Sequence, residues 1–172
     1  MLSFHRFLSN LSLFLIFPSI SQAVTHHPDT SELVVKVCRQ TSNYTSCVET
    51  LYSDSRTPEA DRFTLADIAF RLADGKAHQG QDFITEMLKN PGRDRDALLT
   101  CQADYKIAIK AMISALNDLN SETFVSLPPL AKKTGKAAAH CKSYYPPLTS
   151  NAQELIHLCE ICTVIAKLFI SG

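Results

Sequence analysis

The chain has 172 residues, enough for one domain, and 45% of them are hydrophobic, enough to close a core. Its 17 basic and 17 acidic side chains cancel, and no basic stripe runs along any segment. A nucleic-acid partner therefore has no electrostatic support.

The opening "MLSFHRFLSNLSLFLIFPSISQA" has a weakly positive start at Arg6, an apolar run from Phe7 to Ile20 and small residues at Ser21 and Ala23. That is the layout of a secretory signal peptide, residues 1–23, cleaved after Ala23. Ser9, Asn10, Ser12 and Pro18 interrupt the run too often for a membrane span of ~20 residues. Removing 23 of 172 residues leaves 149, residues 24–172, with 16 basic against 17 acidic side chains. Secretion places the six cysteines in an oxidising compartment, where pairing is expected. It also makes Asn43-Tyr44-Thr45 a usable glycosylation sequon, whereas Asn10-Leu11-Ser12 leaves with the signal.

After a loose "VTHHPDT", the chain reads as all-α. A helical hairpin spans about 31–53: "SELVVKVCRQT", capped by Ser31 or Thr30, and "NYTSCVETLYS", capped by Asn43. Four longer segments follow over about 59–170, each with an apolar or small stripe in steps of three and four. The first stripe runs Ala66, Phe70, Ala73, Ala77, Gly80, Ile84, Met87, and the second Cys101, Tyr105, Ala108, Met112, Ala115, Leu119. The third runs Leu127, Leu130, Thr134, Ala137, Cys141, Tyr144, and the fourth Ala152, Leu155, Cys159, Cys162, Ala166, Phe169. Such spacing keeps one seam of each helix toward its neighbours. The joints "NPGR", "NSET" and "YPPLTSN" are short, which predicts an up-down-up-down four-helix bundle. Pro128 and Pro129 predict a third helix that is regular only from about Leu130.

Cys38 and Cys47 sit nearly symmetrically about the turn at Ser42-Asn43. Cys101 and Cys141 have their midpoint at position 121, inside the turn at Asn120–Thr123. Four cysteines admit three connectivities, and symmetry about the turns favours 38–47 with 101–141. In the chain-entropy model the first bridge closes about 10 residues and is worth about 3 kcal/mol; the second closes about 41 and is worth about 4 kcal/mol.

Chemistry-bearing motifs are scarce. In "CEIC", Cys159 and Cys162 lie in mid-helix on the core stripe with no strand before them, so they read as buried free thiols. The mature chain keeps His26, His27, His78, His140 and His157 without a His-Glu-x-x-His or Gly-x-Ser-x-Gly pattern. No cofactor and no metal centre are expected. Asp67, Arg71, Asp74 and Lys76 read as charge pairs on a solvated helix face. The joint "LNSETFVSLPPL", Leu119 to Leu130, carries an acid, Glu122, and an off-stripe aromatic, Phe124. These two are the candidate partner contacts, with Phe124 as an anchor.

The hairpin block "CRQTSNYTSCVETLYSDSRTPEAD", together with "LLTCQADYKIAIKAMISAL", "AAAHCKSYY" and "AQELIHLCEICTVIAKLF", resembles the plant invertase and pectin methylesterase inhibitor family. The resemblance implies that Cys38–Cys47 and Cys101–Cys141 are two family disulfides and that the protein catalyses nothing. One branch of that family blocks acid invertases of cell wall or vacuole, and the other caps pectin methylesterases. The hairpin block and final helix favour an acid invertase as the partner, bound one to one, with no membrane or nucleic acid involved. Some invertase inhibitors insert a Pro-Lys-Phe stretch into the target's cleft; the corresponding "SETFVS" keeps the aromatic but lacks the proline and lysine. The pectin methylesterase branch lays helical faces over the cleft instead. An apoplastic location is expected, with the vacuole as the other compartment. Redox chemistry at Cys159 and Cys162, or an apolar ligand held between the helices, are the readings from other classes.

Overall fold

Four seams of small and apolar residues can leave water only by facing one another, and that requirement shapes the molecule. The computed structural model describes residues 31–170. It contains helices α1 (Glu32–Cys38), α2 (Tyr44–Leu51), α3 (Arg62–Met87), α4 (Arg95–Asn120), α5 (Leu127–Tyr144) and α6 (Thr149–Lys167), with single 3-10 turns in the joints. Helices α1 and α2 form the N-terminal hairpin, and α3 to α6 form an up-down-up-down bundle. The signal-peptide reading of 1–23 and the pair His26-His27 lie outside the described residues. Among the described residues, no helix is long and apolar enough to cross a membrane.

In the bundle α3 packs on α4 and α6, while α5 packs on α4 and α6, so each helix has two neighbours. The seams are buried along their length, from Ala66 to Ile84, Cys101 to Leu119, Leu127 to Cys141 and Ala152 to Ala166. Small residues let α3 come close: Ala66, Ala69, Ala73, Ala77 and Gly80 are all buried. Each end of the bundle is closed differently. At one end Cys101 of α4 and Cys141 of α5 are joined by a disulfide with a Cα separation of 4.5 Å. At the other, Phe63 of α3, Phe124 before α5 and Phe169 after α6 form an aromatic cluster, with Phe124 and Phe169 stacked at 4.4 Å.

The hairpin closes on itself and then onto the bundle. Asn43 caps α2 by accepting from the Ser46 amide at 3.1 Å, and a disulfide joins Cys38 to Cys47 across the turn. Glu160 of α6 takes both the Ser42 amide (2.8 Å) and the Ser42 hydroxyl (2.7 Å) on its two carboxylate oxygens. The segment "SDSRT" supplies a second tie. Arg56 donates to Asp54 at 2.8 and 3.0 Å and to Asp67 of α3 at 3.0 Å, and Arg71 completes the row on Asp67 at 2.7 Å. Those bonds from the Arg56 side chain and amide hold the Asp54 carboxyl at about 2. Thr57 is buried, with its hydroxyl donating to the Leu51 carbonyl. Of the α3 charges, Asp67 thus ties down the segment that follows the hairpin, and Lys76 pairs with Glu154 of α6.

Several expectations need correction. Helix α5 starts at Leu127, three residues early, because Pro128 and Pro129 occupy its first turn, where no amide is needed. Tyr144 is not on the buried seam but 55% exposed; Tyr145 is buried instead, at 4%. The helix ends at Tyr144, and the φ of −132° and ψ of 84° at Tyr145 swing the next side chain inward. Ser31 precedes α1 without a side-chain cap; its amide donates to the Tyr52 hydroxyl at 2.8 Å.

Candidate functional site

The turn between α4 and α5 is built by backbone bonds. Helix α4 runs out at Asn120, the Glu122 amide donates to the Leu119 carbonyl at 3.2 Å, and the Thr123 amide donates to the Asp118 carbonyl at 2.7 Å. This pair of bonds requires a left-handed residue, normally glycine, just past the helix. Here that residue is Glu122, with φ of 56°, the one non-glycine residue at positive φ among those described. A side chain in that region costs about 1–2 kcal/mol. Strain of this kind persists where surrounding structure or function demands it. The Ser126 hydroxyl pins the return of the chain by donating to Asp118 at 2.5 Å.

The turn presents its residues unequally. Glu122 is exposed at the tip. Phe124, expected as an anchor, is half-buried in the aromatic cluster with Phe63 and Phe169, so its ring supports the turn from below. Val125 is the outward apolar group, at 77% exposure.

Along the seam of α4 and α5, Asp104 is buried and its carboxylate accepts from His140 Nδ1 at 2.7 Å. The His140 ring lies 4.7 Å from that of Tyr144. Ile107, one turn along α4 from Asp104, is 44% exposed. Sequence reasoning passed over Asp104; the available signal was a charged residue three positions after Cys101, on the side of the seam. His140 beside Cys141 forms no cysteine–histidine pair, because Cys141 is in a disulfide.

A groove of about 1110 Å³ opens on another side, between α2, α3 and α6. It is lined by Asn43, Ser46 and Thr50 of the hairpin, by Leu72, Gly75 and Gln79 of α3 and by Gln153, Ile156 and Leu158 of α6, with Arg71, Lys76, Glu154 and Glu160 as its charged groups.

Cys159 and Cys162 are free and buried on α6. Burial pushes the Cys159 thiol up to about 12 and the Cys162 thiol well above its ordinary value. A thiol that stays protonated is not a nucleophile, so this pair lacks the stabilised thiolate that exchange chemistry needs. Among the described residues, no three His, Cys, Asp or Glu side chains group as metal ligands would.

The crosslinked bundle thus carries protonated thiols and a strained, exposed turn. Comparison with known proteins places it in a family of enzyme inhibitors rather than of enzymes. Residues 32–165 match the model of the plant invertase/pectin methylesterase inhibitor family, and the chain belongs to that family. It is similar to a cell wall / vacuolar inhibitor of fructosidase 2 from Arabidopsis thaliana, 27% identical over 62% of this chain and 61% of that protein. The chain thus matches under two thirds of that relative's length. It is also similar to a pectinesterase inhibitor from Actinidia deliciosa, 27% identical over 94% of this chain and 92% of that protein. Among solved structures, a mutant form of a pectin methylesterase inhibitor from Arabidopsis aligns with a TM-score of 0.72 and 18% identity, covering 80% of this chain and 97% of that one. A pectin methylesterase inhibitor from Arabidopsis thaliana aligns with a TM-score of 0.61 and 18% identity, covering 81% and 97%. At that identity these two structures establish the shared fold.

Proposed function

We propose that the protein is secreted into the cell wall and blocks a pectin methylesterase there, one to one. The observation that carries this reading is the direction of the side chains in the α4–α5 turn. Phe124 faces the core and Glu122 stands at the tip. A glycoside hydrolase such as an acid invertase works with a pair of carboxylates. A carboxylate leading into that cleft meets like charge, and no lysine or arginine in "SETFVS" offsets it. This reverses the preference for invertase drawn from the hairpin and final helix. The relative named as a pectinesterase inhibitor also aligns over more of the chain than the fructosidase inhibitor does.

The contact face we assign is the α4–α5 edge, from Glu122 and Val125 at the turn to Ile107, His140 and Tyr144. Helix α5 alone is about 27 Å long, which suits a standard interface of about 800 Å² per partner. Tyr144 is the exposed aromatic on that edge, the residue type that most often dominates such interfaces.

Titrating purified protein in parallel against a pectin methylesterase and an acid invertase tests the target. Stoichiometric loss of esterase activity with invertase unaffected is the expected result, and the opposite pattern overturns it. Tyr144→Ala should weaken inhibition by more than about 1 kcal/mol, or roughly fivefold or more in the inhibition constant. An unchanged constant removes this edge from the interface. The acid invertase reading keeps one support, the fructosidase inhibitor relative, and the same titration decides it.

A further inference from the structure

We infer that Asn43 carries an N-linked glycan and that the first sugars of this glycan lie in the groove between α2, α3 and α6. The inference holds whichever enzyme the bundle blocks; it rests on entry into the secretory route. Asn43 starts the sequon Asn43-Tyr44-Thr45, is exposed, and lines the groove. Its side chain is held in place, because Oδ1 accepts from the Ser46 amide at 3.1 Å as the cap of α2. That bond uses the carbonyl oxygen alone. Attachment takes place at Nδ2 and leaves the carbonyl intact, so the glycan and the helix cap coexist on one side chain.

The donor is an oligosaccharide linked to a lipid pyrophosphate. A bond forms between Asn43 Nδ2 and C1 of N-acetylglucosamine while the bond from C1 to the phosphate oxygen breaks. The lipid pyrophosphate leaves with the electron pair, and a base of the transferase takes one Nδ2 proton.

The groove fits such an occupant in size and chemistry. At about 1110 Å³ it slightly exceeds the ~300–1,000 Å³ typical of small-ligand sites, room for several sugar rings. A sugar ring has apolar C–H faces and a polar edge. Leu72, Ile156 and Leu158 offer the groove apolar surface, and Ser46, Thr50, Gln79 and Gln153 offer hydroxyls and amides. At Gly75 the space is open: a β-carbon built there meets nothing within 4 Å. A glycan here bridges the hairpin to α3 and α6 and covers the Ser42–Glu160 tie. It also shields this side from a bulky partner and leaves the α4–α5 edge bare.

The test is the full chain secreted from plant cells, compared with its Thr45→Ala variant and with wild type treated with peptide N-glycosidase. Thr45 is exposed, so Thr45→Ala removes the sequon while leaving Asn43 as the cap. Intact mass should show a glycan on wild type and none on the variant. Hydrogen exchange of amides in 71–79 and 149–158 should be several-fold slower in the glycosylated protein than in either glycan-free form. An unmodified Asn43 in the secreted protein overturns the inference. Equal exchange with and without the glycan overturns its placement in the groove.

Discussion

The ring of Tyr105 on α4 lies directly against the backbone of Gly80 on α3: a β-carbon built at Gly80 would sit 2.0 Å from Tyr105 Cε1. The ring cannot retreat, because it is fully buried and its hydroxyl donates to Asn151 Oδ1 of α6 at 2.8 Å. Three helices therefore meet at one missing side chain. Gly80→Ala should cost about 2–3 kcal/mol, since overpacking outweighs the ~1 kcal/mol gained in helix propensity. Gly75→Ala, on the same helix with open space, should instead gain about 0.5–1 kcal/mol in glycan-free protein. Urea midpoints of the two variants should move in opposite directions, and a shared direction would refute the packing argument.

Glu122 provides a separation of stability from function. Glycine at its φ of 56° relieves the left-handed strain, so Glu122→Gly should raise stability by about 0.5–1 kcal/mol. Its carboxylate at the tip of the turn is also a proposed contact, so the same variant should inhibit the target less well. A more stable protein that is a poorer inhibitor is the signature of a partner contact. Unchanged inhibition would make Glu122 a passive surface residue.

Phe124 makes the reverse case. Truncating a half-buried ring stacked at 4.4 Å on Phe169 should cost about 2 kcal/mol in unfolding experiments. Measured on the folded fraction, inhibition by Phe124→Ala should stay within about twofold of wild type, because the ring faces inward. A loss of fivefold or more would return Phe124 to the interface as an anchor. Val125→Ala should leave stability within ~0.5 kcal/mol, as the side chain is 77% exposed.

The buried thiols give a pH dependence with a definite sign. Burial raises Cys159 from an ordinary value of 9.0 to about 12 and also raises Cys162, so the folded state keeps protons that the unfolded state releases. Their contribution is fully present below pH 9 and declines as pH rises toward 12, by up to ~1.4 kcal/mol per pH unit for each group. Tyr105, raised from 10.0 to about 12 by burial, adds to the decline above pH 10. Unfolding midpoints between pH 8 and 10 should fall more steeply for wild type than for a Cys159→Ala/Cys162→Ala variant. Identical slopes would contradict this account. Native protein at pH 8 should also resist thiol labelling, with both cysteines reacting once it is unfolded.

The helical seams could be read from the chain because their cause is local. A step of three or four residues fixes which side of one helix is apolar, and "NPGR", "NSET" and "YPPLTSN" supply the breaks. The bridges in the structure join the cysteines that are symmetric about two of the turns, since antiparallel helices return residues to equal heights. Other features depend on distances between helices, which periodicity does not contain. That Phe124 closes on Phe63 and Phe169 follows from where α3 and α6 end relative to α5. Asp104 meets His140, and Arg56 reaches Asp67, only after their helices are packed. The sequence by itself determined the number of helices, their short joints and their buried stripes apart from the end of α5, where Tyr145 replaces Tyr144. Tertiary structure alone decided which residues of the α4–α5 turn point outward and which pack inward. A side chain's direction at a joint is set by the helix ends it packs between, and those belong to distant parts of the chain.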